Sequence, residues 1–137
     1  MIPYCVIIPA YNEEHFLPRT LESLAEAMAT IPASGNVVVV DNNSSDRTPD
    51  VARDLGATVV FEKFNQISRA RNTGARQAAA RHLVFLDADT LITANLLQTA
   101  LDNLQRPDCS GGGATVAADR SLKPFYKTAL GFWNRLS

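Results

Sequence analysis

The chain has 137 residues, 46% of them apolar and 20% charged, with 13 Lys plus Arg against 14 Asp plus Glu. That length and apolar content suit one soluble globular domain with a real core, and the near-zero net charge excludes a nucleic-acid binder that works by bulk charge. The two cysteines, Cys5 and Cys109, lack metal-ligand spacing, no secretory-type leader is recognisable, and no apolar run nears membrane-spanning length, so a reduced, cytoplasmic protein is expected.

Cys5-Val6-Ile7-Ile8, inside Tyr4 to Pro9, reads as a first buried strand. Leu17, Leu21, Leu24, Ala25 and Met28 recur at helical spacing and predict an amphipathic helix from about Glu13 to Ala29, with Asn12 placed to cap it. A loop over Ile31 to Asn36 leads into Val37-Val38-Val39-Val40, the β-branched run of a strand buried on both faces. Asp46 to Leu55 is a short helix, with Asp46 as its cap and Gly56 at its end. Ala57 to Phe61 is a third strand, Ile67 to Arg81 a helix, and Leu83 to Leu86 a fourth strand. Thr93 to Leu104 is a helix with Leu96, Leu97, Ala100, Leu101 and Leu104 on its apolar side. Cys109 to Val116, with Gly111-Gly112-Gly113 inside it, is a turn into a further strand. Strands alternating with helices imply an α/β protein with a parallel sheet and right-handed crossovers.

In such a sheet the carboxyl ends of the strands share one edge, where open α/β sheets hold ligands. Pro9-Ala10-Tyr11-Asn12-Glu13 follows the first strand and Asp41-Asn42-Asn43-Ser44-Ser45-Asp46 the second. Glu62-Lys63-Phe64-Asn65 follows the third, and Asp87-Ala88-Asp89-Thr90 the fourth. Two carboxylates one residue apart suit a hard divalent cation that shares its remaining ligands with phosphate; the same residues also serve as turns and caps. Tyr11 offers a ring face for a nucleobase or else closes the core edge. Asp41 accepts from a base or ribose, or belongs to a plain turn. Arg71, beside Asn72, reaches the crevice edge, whereas Arg69 reads as helix surface. His15 and His82 are isolated, the Gly111 run lacks the Lys and the following helix of a phosphate loop, and no Ser or Cys nucleophile stands out.

Val6-Ile7-Ile8-Pro9-Ala10-Tyr11-Asn12-Glu13-Glu14 resembles the opening motif of family 2 glycosyltransferases, which have the GT-A fold. Val38 to Thr48 resembles their second motif, Ala70-Arg71-Asn72-Thr73-Gly74-Ala75 their Ala-Arg-Asn-x-Gly segment, and Phe85-Leu86-Asp87-Ala88-Asp89-Thr90 their D-x-D motif. The resemblance runs from Ile2 to about Leu104. It implies a three-layer, Rossmann-like nucleotide-diphospho-sugar-binding domain with a mostly parallel sheet over residues 1–118, and the start of an acceptor-side segment over residues 119–137. It further implies a nucleotide-diphospho-sugar donor, most commonly a UDP-sugar, and Mg²⁺ or Mn²⁺ as cofactor. The implied nucleotide-sugar contacts are Pro9, Ala10, Tyr11, Glu13, Asp41, Asn43, Arg71, Asp87 and Ala88, with Asp89 and Asp87 toward the metal.

The family normally continues past its D-x-D motif to an acceptor pocket and a catalytic base. Here only Asp102, Asp108 and Asp119 follow as acids, so the expectation is a donor-binding half, a shortened chain or natural fragment, with no base to name and an open acceptor (glycan, lipid or protein). Lys123, Phe125, Tyr126, Lys127, Leu130, Phe132, Trp133 and Arg135 make a basic, aromatic tail over residues 121–137. It reads as a surface that packs on further chain, or as a peripheral contact with the cytoplasmic face of a membrane. Both readings imply exposed apolar area and self-association into homo-oligomers. A non-catalytic nucleotide-binding module is the chief rival. A haloacid-dehalogenase-type phosphatase, which carries its D-x-D loop near the N-terminus, fits less well, because three strands precede Asp87.

Overall fold

The structure, a computed structural model, describes residues 1–114. The elements are β1 (Ile2–Ala10), α1 (Leu17–Thr30), β2 (Gly35–Asp41), α2 (Thr48–Asp54), β3 (Thr58–Phe61), α3 (Ile67–Gln77), β4 (Ala80–Phe85) and α4 (Ala94–Leu104). Contacts divide the chain into two units, Met1–Asp102 and Asn103–Ser137. The first contains the whole described sheet and every candidate site residue. In the second, Arg106 and Asp108 form an exposed pair at 2.8 Å. The boundary expected at residues 118–119, the strand expected near Val116 and the aromatic tail lie outside the described residues.

The strand order is β3-β2-β1-β4, with every pairing parallel. From β1 the chain steps outward through β2 to β3, then crosses back to lay β4 on the other side of β1. Right-handed crossovers in opposite directions put their helices on opposite faces. Accordingly Leu17, Leu21 and Leu24 of α1, Ala52 of α2 and Leu97 and Leu101 of α4 pack with Tyr4, Val6, Ile8 and Val39. Ala70 of α3 packs on the other face with Cys5, Ile7, Val38 and Val40. β1 is buried continuously from Tyr4 to Ala10, because helices cover both of its faces. The reversal of direction falls between β1 and β4, and at such a switch point the helices diverge and leave a crevice beyond the carboxyl ends.

Three local expectations are corrected. α1 starts at Leu17 rather than Glu13, and Asn12 does not cap it. Instead Asn12 adopts φ +51 and bonds across to the loop after β2. α3 stops at Gln77, because residues expected to prolong it join the sheet: Ala80 pairs with Ile2, and the Ile2 N–H donates to the Ala79 carbonyl at 3.3 Å. Sheet pairing here overrides the helix propensity of Ala78-Ala79-Ala80-Arg81. Leu96, placed on the apolar side of α4, is exposed, while Leu97 and Leu101 are buried. Among the described residues no helix is long and apolar enough to cross a membrane.

Gly74 sets how closely α3 approaches the sheet. A Cβ there would collide with Ile7 Cγ2 and lie 2.9 Å from Val40 Cγ2, both on stiff β-branched side chains in the core. Gly74→Ala is therefore expected to destabilise the protein by about 1–2 kcal/mol despite alanine's better helix propensity. Urea unfolding checks this, and a stabilised variant would contradict the packing.

Candidate functional site

The crevice is built from four strand ends. Ala10, Asp41 and Phe61 lie level across β1, β2 and β3. On the other flank, Phe85 pairs with Ile7, and the Leu86 N–H extends the ladder to the Ile7 carbonyl at 3.0 Å. By strand alternation Pro9 then faces β4, and a proline has no N–H to offer. The β1–β4 ladder therefore ends at this level and the two chains separate, with Tyr11 leaving on one side and Asp87-Ala88-Asp89 on the other. Tyr11 is 53% exposed, an unusual position for a ring that closes a core edge. Asp87 and Asp89 are both exposed.

Ala10 and Ala88 turn their side chains into the core. The Ala88 carbonyl accepts from Thr20 Oγ1 of α1 at 2.7 Å. Ala88 thus anchors the D-x-D turn to the body of the protein and leaves the flanking carboxylates pointing out. Arg71, on the first turns of α3, reaches Asp87: its Nη2 donates to Asp87 Oδ1 at 3.1 Å. Arg71 Nε is buried and has no hydrogen-bond partner among the described residues. Arg69 stays on the surface, stacked over the Phe64 ring at 4.1 Å and 3.9 Å from Glu62.

Asp41 is buried, and its Oδ1 accepts the Ser44 N–H at 3.0 Å. Asn43 is exposed with φ +63, and its side chain meets Asn65 at 3.4 Å. Sequence reasoning missed the buried Asn42. Its amide donates to the carbonyls of Glu62 and Phe64, and its own carbonyl accepts from Asn65 Nδ2 at 2.7 Å. Asn42 thereby ties the end of β2 to the loop that launches α3. Only the polarity of the Asn42-Asn43 run hinted at this, and turn chemistry gives the same signal.

The loop after β1 and the loop after β2 are laced together. The Glu13 N–H donates to Thr48 Oγ1 at 2.8 Å, the Glu14 N–H to Asp46 Oδ2 at 3.3 Å, and the Arg47 N–H to Glu14 Oε2 at 3.1 Å. Asp46 also accepts the N–H of Thr48, the first residue of α2, at 2.9 Å, but the expected cap is corrected: α2 begins at Thr48 with Arg47 in the N-cap position, so Asp46 lies one residue before the cap. Burial raises the Asp46 pKa, but its bonds from the Thr48 hydroxyl, the Thr48 N–H and the Glu14 N–H outweigh that and hold the carboxyl below its ordinary range. The half-buried Glu13 is shifted upward, first by burial and then by the negative charges of Asp89 and Asp46. Glu13 therefore shares an electrostatic neighbourhood with Asp89.

The sign of the pH dependence follows. A carboxyl whose folded pKa lies above its unfolded value contributes stability in its protonated form and loses it as pH rises through the folded pKa. Glu13→Gln is thus expected to raise the melting temperature at pH 7, where the carboxylate is charged, and to leave it unchanged near about pH 3, where it is protonated. Equal gains at both pH values would contradict the charge argument.

Among the described residues no three His, Cys, Asp or Glu side chains gather into a metal-holding group. Two outward carboxylates at one strand end nonetheless suit a hard cation that draws its other ligands from phosphate and water. His15 is exposed beside Glu14 at 3.6 Å, as expected of a surface histidine. A shallow cavity of about 360 Å³, lined by Leu21, Met28, Gly35, Leu55 and Thr58 among others, lies where β2 and β3 begin, at the edge of the sheet opposite the crevice.

The glycosyl transferase family 2 profile matches residues 5–136. Validoxylamine A glucosyltransferase of Streptomyces hygroscopicus subsp. limoneus is 40% identical over 102 residues, which cover 70% of this chain and 22% of that enzyme. The structure of residues 1–349 of S. aureus TarS in complex with UDP superposes with a TM-score of 0.65 at 28% identity, covering 75% of this chain and 32% of that one. The mannosyltransferase PcManGT from Pyrobaculum calidifontis, in complex with GDP-Man and Mn²⁺, gives a TM-score of 0.67 at 31% identity, covering 77% of this chain and 33% of that one. The chain thus spans about a fifth to a third of the length of these relatives.

Proposed function

The chain belongs to glycosyl transferase family 2, and from that premise we propose that it is the donor-binding part of a GT-A glycosyltransferase that takes a nucleotide-diphospho-sugar, UDP-linked, and transfers the sugar with inversion. What supports this reading is the convergence at the β1–β4 switch point: the Asp87-Ala88-Asp89 turn, with Arg71 bonded to Asp87, opens beside the loop that carries Tyr11 and Glu13. TarS was crystallised with UDP and PcManGT with GDP-Man and Mn²⁺, which supports a nucleotide as the class of ligand.

The roles follow from the chemistry of each group. Tyr11 presents a ring to the base, and Pro9 opens the gap beneath it. Asp41 offers its second carboxylate oxygen to donors on the base, since the first is held by Ser44. Arg71 holds Asp87 toward the ribose through its Nη2. With Arg71 neutralising Asp87, Asp89 is the carboxylate left to ligate Mg²⁺ or Mn²⁺ on the diphosphate. When bound, such an ion supplies Lewis-acid stabilisation of the departing diphosphate. Glu13, near enough to feel the charge of Asp89, adds to the negative potential that draws a cation there. The proposed setting is the cytoplasm, at the cytoplasmic face of a membrane.

Titration calorimetry with UDP and GDP, each with and without Mn²⁺, tests the reading; the expected result is metal-enhanced UDP binding. Release of UDP from UDP-sugars separates an enzyme from the rival, a non-catalytic nucleotide-binding module. Binding without turnover on any donor favours the module.

A further inference from the structure

We propose that Asn12 is the positioning residue for base recognition, the pin that fixes the spacing between the Tyr11 wall and the Asp41 wall of the crevice; this rests on the nucleotide-binding reading of that crevice. The observation is a short chain of bonds between the two walls. The Asn12 N–H, adjacent to Tyr11, donates to Ser44 Oγ at 3.0 Å. The Ser44 N–H donates in turn to Asp41 Oδ1 at 3.0 Å. Asn12 Oδ1 accepts from the Ser45 N–H at 2.8 Å and from Ser45 Oγ at 3.3 Å. One residue thus grips two consecutive serines more than 30 positions away in sequence, and one of those serines orients the Asp41 carboxylate.

The backbone makes the grip specific to this residue type. Asn12 has φ +51, a left-handed conformation that glycine, asparagine and aspartate tolerate and most other side chains resist. Asparagine alone combines that tolerance with a neutral acceptor able to reach Ser45. Asn43, across the crevice, is the other described non-glycine residue with positive φ. Both walls therefore turn on asparagines.

Holding the two loops together at large is not the pin's task. The bonds from Glu13 to Thr48, Glu14 to Asp46 and Arg47 to Glu14 remain when the Asn12 side chain is removed. Asn12→Gly keeps the backbone conformation and the N–H to Ser44 while deleting both contacts to Ser45. Asn12→Asp keeps the acceptor.

The test is calorimetry on the full chain with UDP, GDP and inorganic pyrophosphate in Mn²⁺. Asn12→Gly is expected to weaken UDP binding roughly tenfold, to cut the preference of UDP over GDP by a similar factor, and to leave pyrophosphate binding as in wild type. Asn12→Asp is expected to restore most of the preference. A residue with a merely structural role would lower all three affinities together with the melting temperature, and that result would overturn the pin. So would an unchanged UDP-to-GDP ratio in Asn12→Gly. A wild-type chain that binds neither nucleotide would overturn the functional reading itself, and the pin with it.

Discussion

Asp89→Ala is expected to abolish the metal-dependent part of UDP binding, lowering affinity in Mn²⁺ on the order of a hundredfold, or about 2.7 kcal/mol. In the absence of metal, variant and wild type should bind alike. The size follows from the division of labour on the D-x-D turn. Asp87 is bonded to Arg71 at 3.1 Å, so its charge is partly satisfied, whereas Asp89 has no cationic partner among the described residues. Removing Asp89 removes the free carboxylate. The fold should not suffer, because Asp89 is exposed and Glu13 loses a like-charged neighbour. Calorimetry with and without Mn²⁺, beside a thermal melt, reads both effects. A variant that keeps its metal enhancement would move the metal off Asp89.

Asp41→Asn is expected to act on the other end of the ligand. It should weaken UMP and UDP alike, roughly thirtyfold, with or without metal. Asp41 is buried, and the asparagine can still accept the Ser44 N–H, so the loop geometry should survive. What is lost is a charged acceptor for the base. A charge-assisted bond in a partly dry crevice exceeds a neutral one by this order of energy. Asp89→Ala and Asp41→Asn therefore separate cleanly: the first depends on metal and the second does not. If UMP binding were unchanged in Asp41→Asn, the base would lie elsewhere.

The parts of the fold most legible in the sequence are those where burial leaves one solution. Cys5-Val6-Ile7-Ile8 and Val37-Val38-Val39-Val40 are apolar without alternation because helices cover both faces of β1 and β2. Once those strands were parallel, the residues after each had to share an edge, and the candidate site followed. What failed was tertiary in origin. Ala78-Ala79-Ala80-Arg81 is a good helical stretch in isolation, yet pairing of Ala80 with Ile2 draws it into β4. Asn12 before Glu13-Glu14 has the local look of a helix cap. Its real partners, Ser44 and Ser45, belong to another loop, and no local pattern points to them. The Arg71–Asp87 pair joins a helix to a strand end 16 residues on, and it becomes visible only when β4 returns to the other side of β1.

The most direct test is an anomalous-scattering map from crystals of the chain grown with UDP and Mn²⁺. The expected result is one Mn²⁺ peak touching Asp89 and the diphosphate, with the uracil against Tyr11 and within hydrogen-bond reach of Asp41. A peak away from the D-x-D turn, or a nucleotide seated in the cavity at the opposite edge of the sheet, would contradict it.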